Sequence, residues 1–304
     1  MFKNSSPFTK LVLTAFIMLV SYLVFFISGS LLALIIFKIN IFKDAISIIN
    51  DQKGAFINEM KYFQIVQSVG MFVVPPLILA RLFNQSIAEF LQLKRSPEVS
   101  SVILIFTAII FSYPVINFFT SLNSHLDLPR FLAPIEEWMR DTEDYAGKIT
   151  DRFLEVSTFS GLMVNLLMIA VVPAVGEELL FRGILQPVFT DWTNNKHWGI
   201  FISSVIFSAF HLQFFGFLPR LLLGLLFGYL LLWSRSLWLP ILAHFFNNSF
   251  AVLFCFFAGK ELTDKFDKVG TGVSVSSDIF PLIISTGVAS WLVFLIFRKY
   301  KRVL

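Results

Sequence analysis

The chain has 304 residues, 56% of them hydrophobic and 14% charged, with a formal net charge of +4. Soluble domains run at about 25% charged residues, and no water-soluble globule of this length has interior enough to hide so much apolar surface. Intrinsic disorder, a disulfide-stapled secreted fold and a nucleic-acid-binding domain are thereby excluded, which leaves a multi-pass membrane protein.

A hydrocarbon core about 30 Å thick is crossed by about 20 apolar residues in a helix. The first such run, residues 11–37, carries no charge and exceeds the about 7–15 apolar residues of a signal peptide. Spans at 62–82 and 102–120 follow, with Pro75 and Pro76 set to break or kink the second. The connection 121–158 then gathers Asp127, Glu136, Glu137, Asp141, Glu143, Asp144, Asp151 and Glu155. Between these acids Ile135, Trp138, Met139, Ala146, Ile149 and Phe153 recur near a helical period, which predicts an amphipathic helix at the outer interface. Further spans are predicted at 159–181, 198–217, 218–233, 237–257 and 279–297, with Pro173 disturbing the first of these.

The expected fold is an all-α polytopic membrane protein of about eight transmembrane helices, with the outer amphipathic helix between the third and fourth. It divides into N-terminal helices with the amphipathic segment (1–158), a catalytic helix core (159–257), and an outer loop, last span and basic tail (258–304). Eight spans put both termini on one side. Arg298, Lys299, Lys301 and Arg302 directly follow the last span, so that side is read as the cytoplasmic face of the plasma membrane. Cys255 is the single cysteine, which rules out a disulfide framework and a cysteine metal site.

Ionisable groups inside spans cost several kcal/mol and are functional candidates by default. Three segments carry them. In the first, Glu177, Glu178 and Arg182 follow Pro173 among apolar neighbours. Glu178 and Arg182 are four apart and face each other on a helix, which leaves Glu177, about 100° round, without that partner. The second holds His211 four residues after Phe207, and the third holds His244 and Asn248 four apart. With about 1.5 Å of rise per residue, Glu177, His211 and His244 fall about 16, 20 and 12 Å inside, in one layer that a chamber open to the cytoplasm would join. Arg220, beside Pro219 at a tight turn, reads as a lipid-headgroup anchor.

A carboxylate, two imidazoles and an amide without a serine or cysteine nucleophile suit hydrolysis by activated water. Glu177 is the general base, His211 shares the proton or holds the water, and His244 with Asn248 donates to an oxyanion.

Glu-Glu-x-x-x-Arg at 177–182, Phe-x-x-x-His at 207–211 and His-x-x-x-Asn at 244–248 together resemble the CPBP family over about residues 160–257. That family comprises the type II CAAX prenyl endopeptidases and the bacteriocin-processing or self-immunity proteins, also called the Abi family. The resemblance implies a membrane-embedded endopeptidase acting on a peptide or membrane-protein substrate in the bilayer. It assigns water activation to Glu177 and His211 and the oxyanion site to His244 and Asn248. Glu178 and Arg182 match its remaining positions in support.

The family has been described as both metallo- and glutamate protease. A metal-free mechanism is favoured here; a zinc ion, if used, falls to Glu177, His211 and His244. Two other classes remain open from the residues alone. One is a proton- or cation-coupled transporter; the other is a non-catalytic scaffold or immunity protein of the same family. The motifs do not specify the substrate.

Overall fold

A computed structural model describes residues 2–40, 43–44, 54–84, 86–125, 128–259, 262–263, 265 and 275–301; Asp127 of the acidic connection and Arg302 of the basic tail lie outside these. Among the described residues all regular structure is helical. The principal helices are α1 (Pro7–Ile36), α2 (Ile57–Phe83), α3 (Val99–Ser124), α4 (Ala133–Leu154), α5 (Phe159–Thr193), α6 (Lys196–Phe210), α7 (Phe217–Ser234), α8 (Trp238–Ala258) and α9 (Val275–Lys301).

Their ends follow local chemistry. The Ser6 hydroxyl accepts from the Thr9 amide with Pro7 at the first helical position, and the Thr158 hydroxyl accepts from the Gly161 amide. Asn194 and Arg235, in left-handed conformation at φ 52° and 51°, stop α5 and α7. The Asn195 side chain then caps α6 by accepting from the amides of His197 and Trp198.

The expected proline breaks are absent. The prolines of α2 and α5 instead follow π-helical turns: Val69–Val73 before Pro75 and Pro76, Leu166–Val171 before Pro173, and Phe181–Leu185 before Pro187. A wider turn takes up the missing N–H and the ring clash that a proline brings to a tight α-turn, so α2 and α5 run on unbroken.

Seven helices among the described residues are long and apolar enough to cross a membrane: α1, α2, α3, α5, α7, α8 and α9. Of the expected eight spans, the one at 198–217 is shorter than read. Its helix α6 has 15 residues, about 22 Å, and stops before His211. The chain is a multi-pass membrane protein.

Three apolar cores hold the bundle among the described residues. Leu79 and Phe83 of α2, Leu179 and Ile184 of α5 and Leu237 form one; Ile105 and Ile109 of α3, Phe227 and Leu230 of α7, Ala243 of α8 and Ile296 of α9 form another. Met18 of α1, Leu180, Phe181 and Leu185 of α5 and Phe207 of α6 form the third. The exposed apolar side chains Leu19, Leu23 and Ile27 of α1 and Ile283, Ile284 and Trp291 of α9 mark the periphery. That arrangement suits contact with lipid rather than water.

One end of the bundle gathers the two described ends of the chain. The Phe2 amide donates to Leu82 O, Lys10 pairs with Asp191 at 3.5 Å, the Leu237 amide donates to Gln92 O, and Lys299 pairs with Glu98 at 2.6 Å. The amphipathic helix α4 lies at the other end. Phe153 at its C-terminal end is buried, and Trp138, half-exposed, meets Phe214.

Candidate active site

Charge enters the bundle along α5. Glu178 is fully buried, and its Oε1 accepts from Arg182 Nη1 at 3.0 Å, one turn on, and from His244 Nδ1 at 2.9 Å, across from α8. Arg182 Nη2 donates to Gly224 O of α7 at 3.1 Å, and the guanidinium lies 4.4 Å from the Phe207 ring centroid and 5.4 Å from that of Phe227. The spacing predicted the Glu178–Arg182 pair. It gave no sign that Glu178 also fixes His244, because the i,i+4 rule sees only partners on one helix.

Glu177 lies on the neighbouring face. Its Oε2 stands 3.9 Å from His244 Nε2, too far for a direct hydrogen bond, and is buried without a hydrogen-bond partner among the described residues. The Nδ1–Glu178 contact assigns the His244 proton to Nδ1, so Nε2 is the nitrogen that faces Glu177. His211 sits just past the C-terminus of α6. Its Nδ1 meets the Phe207 carbonyl at 2.9 Å, which likewise leaves Nε2 as its free nitrogen.

Asn248, one turn after His244, donates from Nδ2 to Ile169 O at 2.9 Å and accepts from Asn247 Nδ2 at 3.0 Å. Ile169 belongs to the π-helical turn before Pro173, so that turn presents the carbonyl that holds the amide.

Glu177, His211, His244 and Asn248 all line one cavity of about 530 Å³. Glu178 and Arg182 stand behind it as supports. Tyr145, Ala146, Ile149, Thr150 and Phe153 of α4 line it as well, so the connection read as a remote interfacial helix covers the site. Of the apolar stripe that predicted an interfacial helix, Ala146, Ile149 and Phe153 line the cavity, while Ile135 and Trp138 stay exposed.

Three polar residues were not read as parts of this region. Arg220, taken as a headgroup anchor, lines the cavity and donates to the backbone and side-chain oxygens of Gln213, which lines it too. Because α6 stops early, α7 begins deep, and Arg220 falls inside rather than at the surface. Lys61, at the edge of a predicted span, is buried and donates to Phe153 O at 3.0 Å and Asn165 Oδ1 at 2.8 Å. The signal available for Gln213 was its place in an otherwise apolar run.

No three His, Cys, Asp or Glu side chains among the described residues gather closely enough to hold a metal ion. Glu178 and His244 Nδ1 are spent on each other, and His211 Nε2, free on the same cavity wall, does not gather with Glu177 and His244 Nε2 into a set of three. This donor set does not fit a structural or catalytic zinc site, which takes three or four protein ligands.

The sequence profile of the family described as type II CAAX prenyl endopeptidase Rce1-like matches residues 159–250, the stretch from the start of α5 into α8 that carries all six polar positions. Over this stretch the helical core is similar to the type II CAAX prenyl endopeptidase family. Two Bacillus subtilis proteins are similar to this chain over part of their length. The one named "Putative membrane peptidase YdiL" is 32% identical over 104 residues, 34% of this chain and 41% of its own length. The other, "Uncharacterized protein YpbD", is 29% identical over 85 residues, 27% of this chain and 40% of its own length. The chain thus spans about two fifths of the length of the curated relatives it matches. No solved structure matches the chain.

Proposed function

We propose that the protein is an intramembrane endopeptidase that splits a peptide bond with water activated by Glu177. The observation that carries this reading is the unpartnered Glu177 Oε2, turned into the cavity 3.9 Å from an imidazole nitrogen whose opposite side is fixed by a buried acid. A water hydrogen-bonded to both atoms spans such a gap. Glu177 takes its proton as the oxygen adds to the carbonyl carbon. The Asn248 amide, with one N–H beyond that given to Ile169, donates to the developing oxyanion, and His244 does so from Nε2 while that nitrogen shares the proton that Glu177 has taken. The C–N bond then breaks, and Glu177 returns the proton to the leaving nitrogen. His211 Nε2, an acceptor in the tautomer its Nδ1 contact selects, takes over the water's second hydrogen once His244 Nε2 shares the proton.

The mechanism uses no metal, in keeping with the donor geometry. Treatment with a chelator is expected to leave cleavage unchanged, and a loss restored by Zn²⁺ would count against it. The substrate is a peptide or membrane protein reached within the bilayer. The end of the bundle that carries Lys10 and Lys299 lies, on this reading, at the cytoplasmic face of the plasma membrane, following the basic run Arg298, Lys299 and Lys301 beside the last span.

Glu177→Gln tests the assignment. A general base contributes about 10²–10⁴-fold, so peptide termini found in membranes of cells with the intact protein should vanish in cells with Glu177→Gln, at equal protein abundance. An identical set of termini in the two strains overturns the reading.

A further inference from the structure

Arg220 is not accounted for by hydrolysis. Near the start of α7 its guanidinium reaches back over the segment after α6, with Nη1 donating to Gln213 O at 3.0 Å and Nη2 to Gln213 Oε1. The backbone is shaped around it. A Cβ on Gly216 would crowd Nη1 and stand 2.8 Å from Cζ, so the guanidinium lies packed directly over this glycine. It is the one Lys or Arg among the described residues lining the cavity that also holds Glu177 and His211.

Its charge is not matched. Glu143 and Glu177 act on it through space, yet neither forms an ion pair with it among the described residues, and Glu143 Oε2 already accepts from the Phe215 amide at 3.3 Å. Both bonded partners are neutral oxygens of Gln213. A guanidinium has five N–H donors in a planar fork that matches a carboxylate; two are used here, and the cation is half-buried without a counter-ion. The preset fork, glycine seat and missing anion lie within one cavity.

We infer that Arg220 binds a carboxylate of the substrate, so that the peptide is held by an anionic group beside the bond to be cut. The inference rests on the peptidase reading for the word substrate. Its chemistry is tested separately, because binding does not require cleavage. The carboxylate has two possible sources: a free peptide C-terminus or an acidic side chain.

The binding test uses the full-length Glu177→Gln protein in detergent, with modification of Arg220 by phenylglyoxal read by mass spectrometry. Three probes are compared: benzoylglycine, its amide, and N-acetyl-aspartate amide. Protection by benzoylglycine and not by its amide is expected. Protection also by N-acetyl-aspartate amide would extend the site to acidic side chains, whereas protection by that probe alone would assign it to them. Equal protection by benzoylglycine and its amide, or none by either acid, overturns the inference.

The cleavage test uses intact protein and a hexapeptide pool presented as free acids or as amides. The acid pool should be cut roughly tenfold faster or more, as expected for one bidentate charged contact, and Arg220→Gln should bring the ratio near one while Arg220→Lys keeps part of it. A purely structural arginine would change the rate and leave the ratio unmoved. Should Arg220→Gln fail to fold, Gln213→Glu supplies a counter-ion in place and is expected to abolish the preference alike. Failure of both pools to be cut speaks against the peptidase reading, and the protection experiment then still decides on Arg220.

Discussion

Glu178 satisfies two demands at once, as acceptor for Arg182 and as the group that orients His244. Removing one partner of a buried pair leaves the other charge stranded, at about 3–5 kcal/mol. Glu178→Ala is therefore expected to lower the thermal unfolding midpoint sharply in detergent, whereas Glu177→Gln, which breaks no direct hydrogen bond, should leave it nearly unmoved. Gly176 is a second sensitive position, because a Cβ there would stand 2.8 Å from Phe72 Cβ and 3.2 Å from its backbone carbon. Gly176→Ala should cost about 1–3 kcal/mol through overpacking, seen in the same unfolding measurement. The six motif residues were legible because acids, imidazoles and an arginine inside apolar runs are costly and stand out from sequence alone. Lys61 and Arg220 were not, since each sits at a predicted span edge where a cation is ordinary. Only the tertiary placement of Phe153, Asn165 and Gln213 reveals what they do.

Helix α4 shows how the same pattern can serve two settings. Apolar residues at a helical period with acids between them fit an interfacial helix, and they equally fit a cover over a polar cavity; the sequence cannot say which surface the stripe meets. Its C-terminal end is pinned by Lys61, which joins Phe153 O to the Asn165 side chain, while Asn165 Nδ2 also donates to Phe153 O at 2.6 Å. Lys61→Met keeps the bulk of the side chain and removes the donor. It should speed proteolysis of the segment from α4 to α5 several-fold, with a global cost of about 1–3 kcal/mol for the unsatisfied carbonyl and amide. An unchanged digestion rate would show that the apolar contacts of α4 suffice. The π-helical turns were likewise out of reach, because a proline in an apolar run announces a disturbance without saying whether the helix breaks, kinks or widens.

Across the whole molecule the spans were readable from composition save the one at 198–217, whose helix α6 ends short of the expected length. Labelling with an impermeant maleimide checks the proposed orientation against a Cys255→Ser background. Phe131, 80% exposed beside α4, and Lys94, with its side chain 64% exposed at the opposite end, are replaced by cysteine in turn. In intact cells Phe131→Cys should label and Lys94→Cys should not; the reverse pattern inverts the topology without altering the site.

The shortness of α6 also bears on how a buried chain is reached. A rod of about 22 Å in a hydrocarbon slab of about 30 Å leaves roughly 8 Å unspanned, and the polar groups of His211, Gln213 and Arg220 occupy that depth. A scissile bond lying below the lipid surface can therefore be met where it lies. On the peptidase reading, the missing two turns of helix are the well through which solvent descends to the bond, and the substrate need not be drawn up into the aqueous phase.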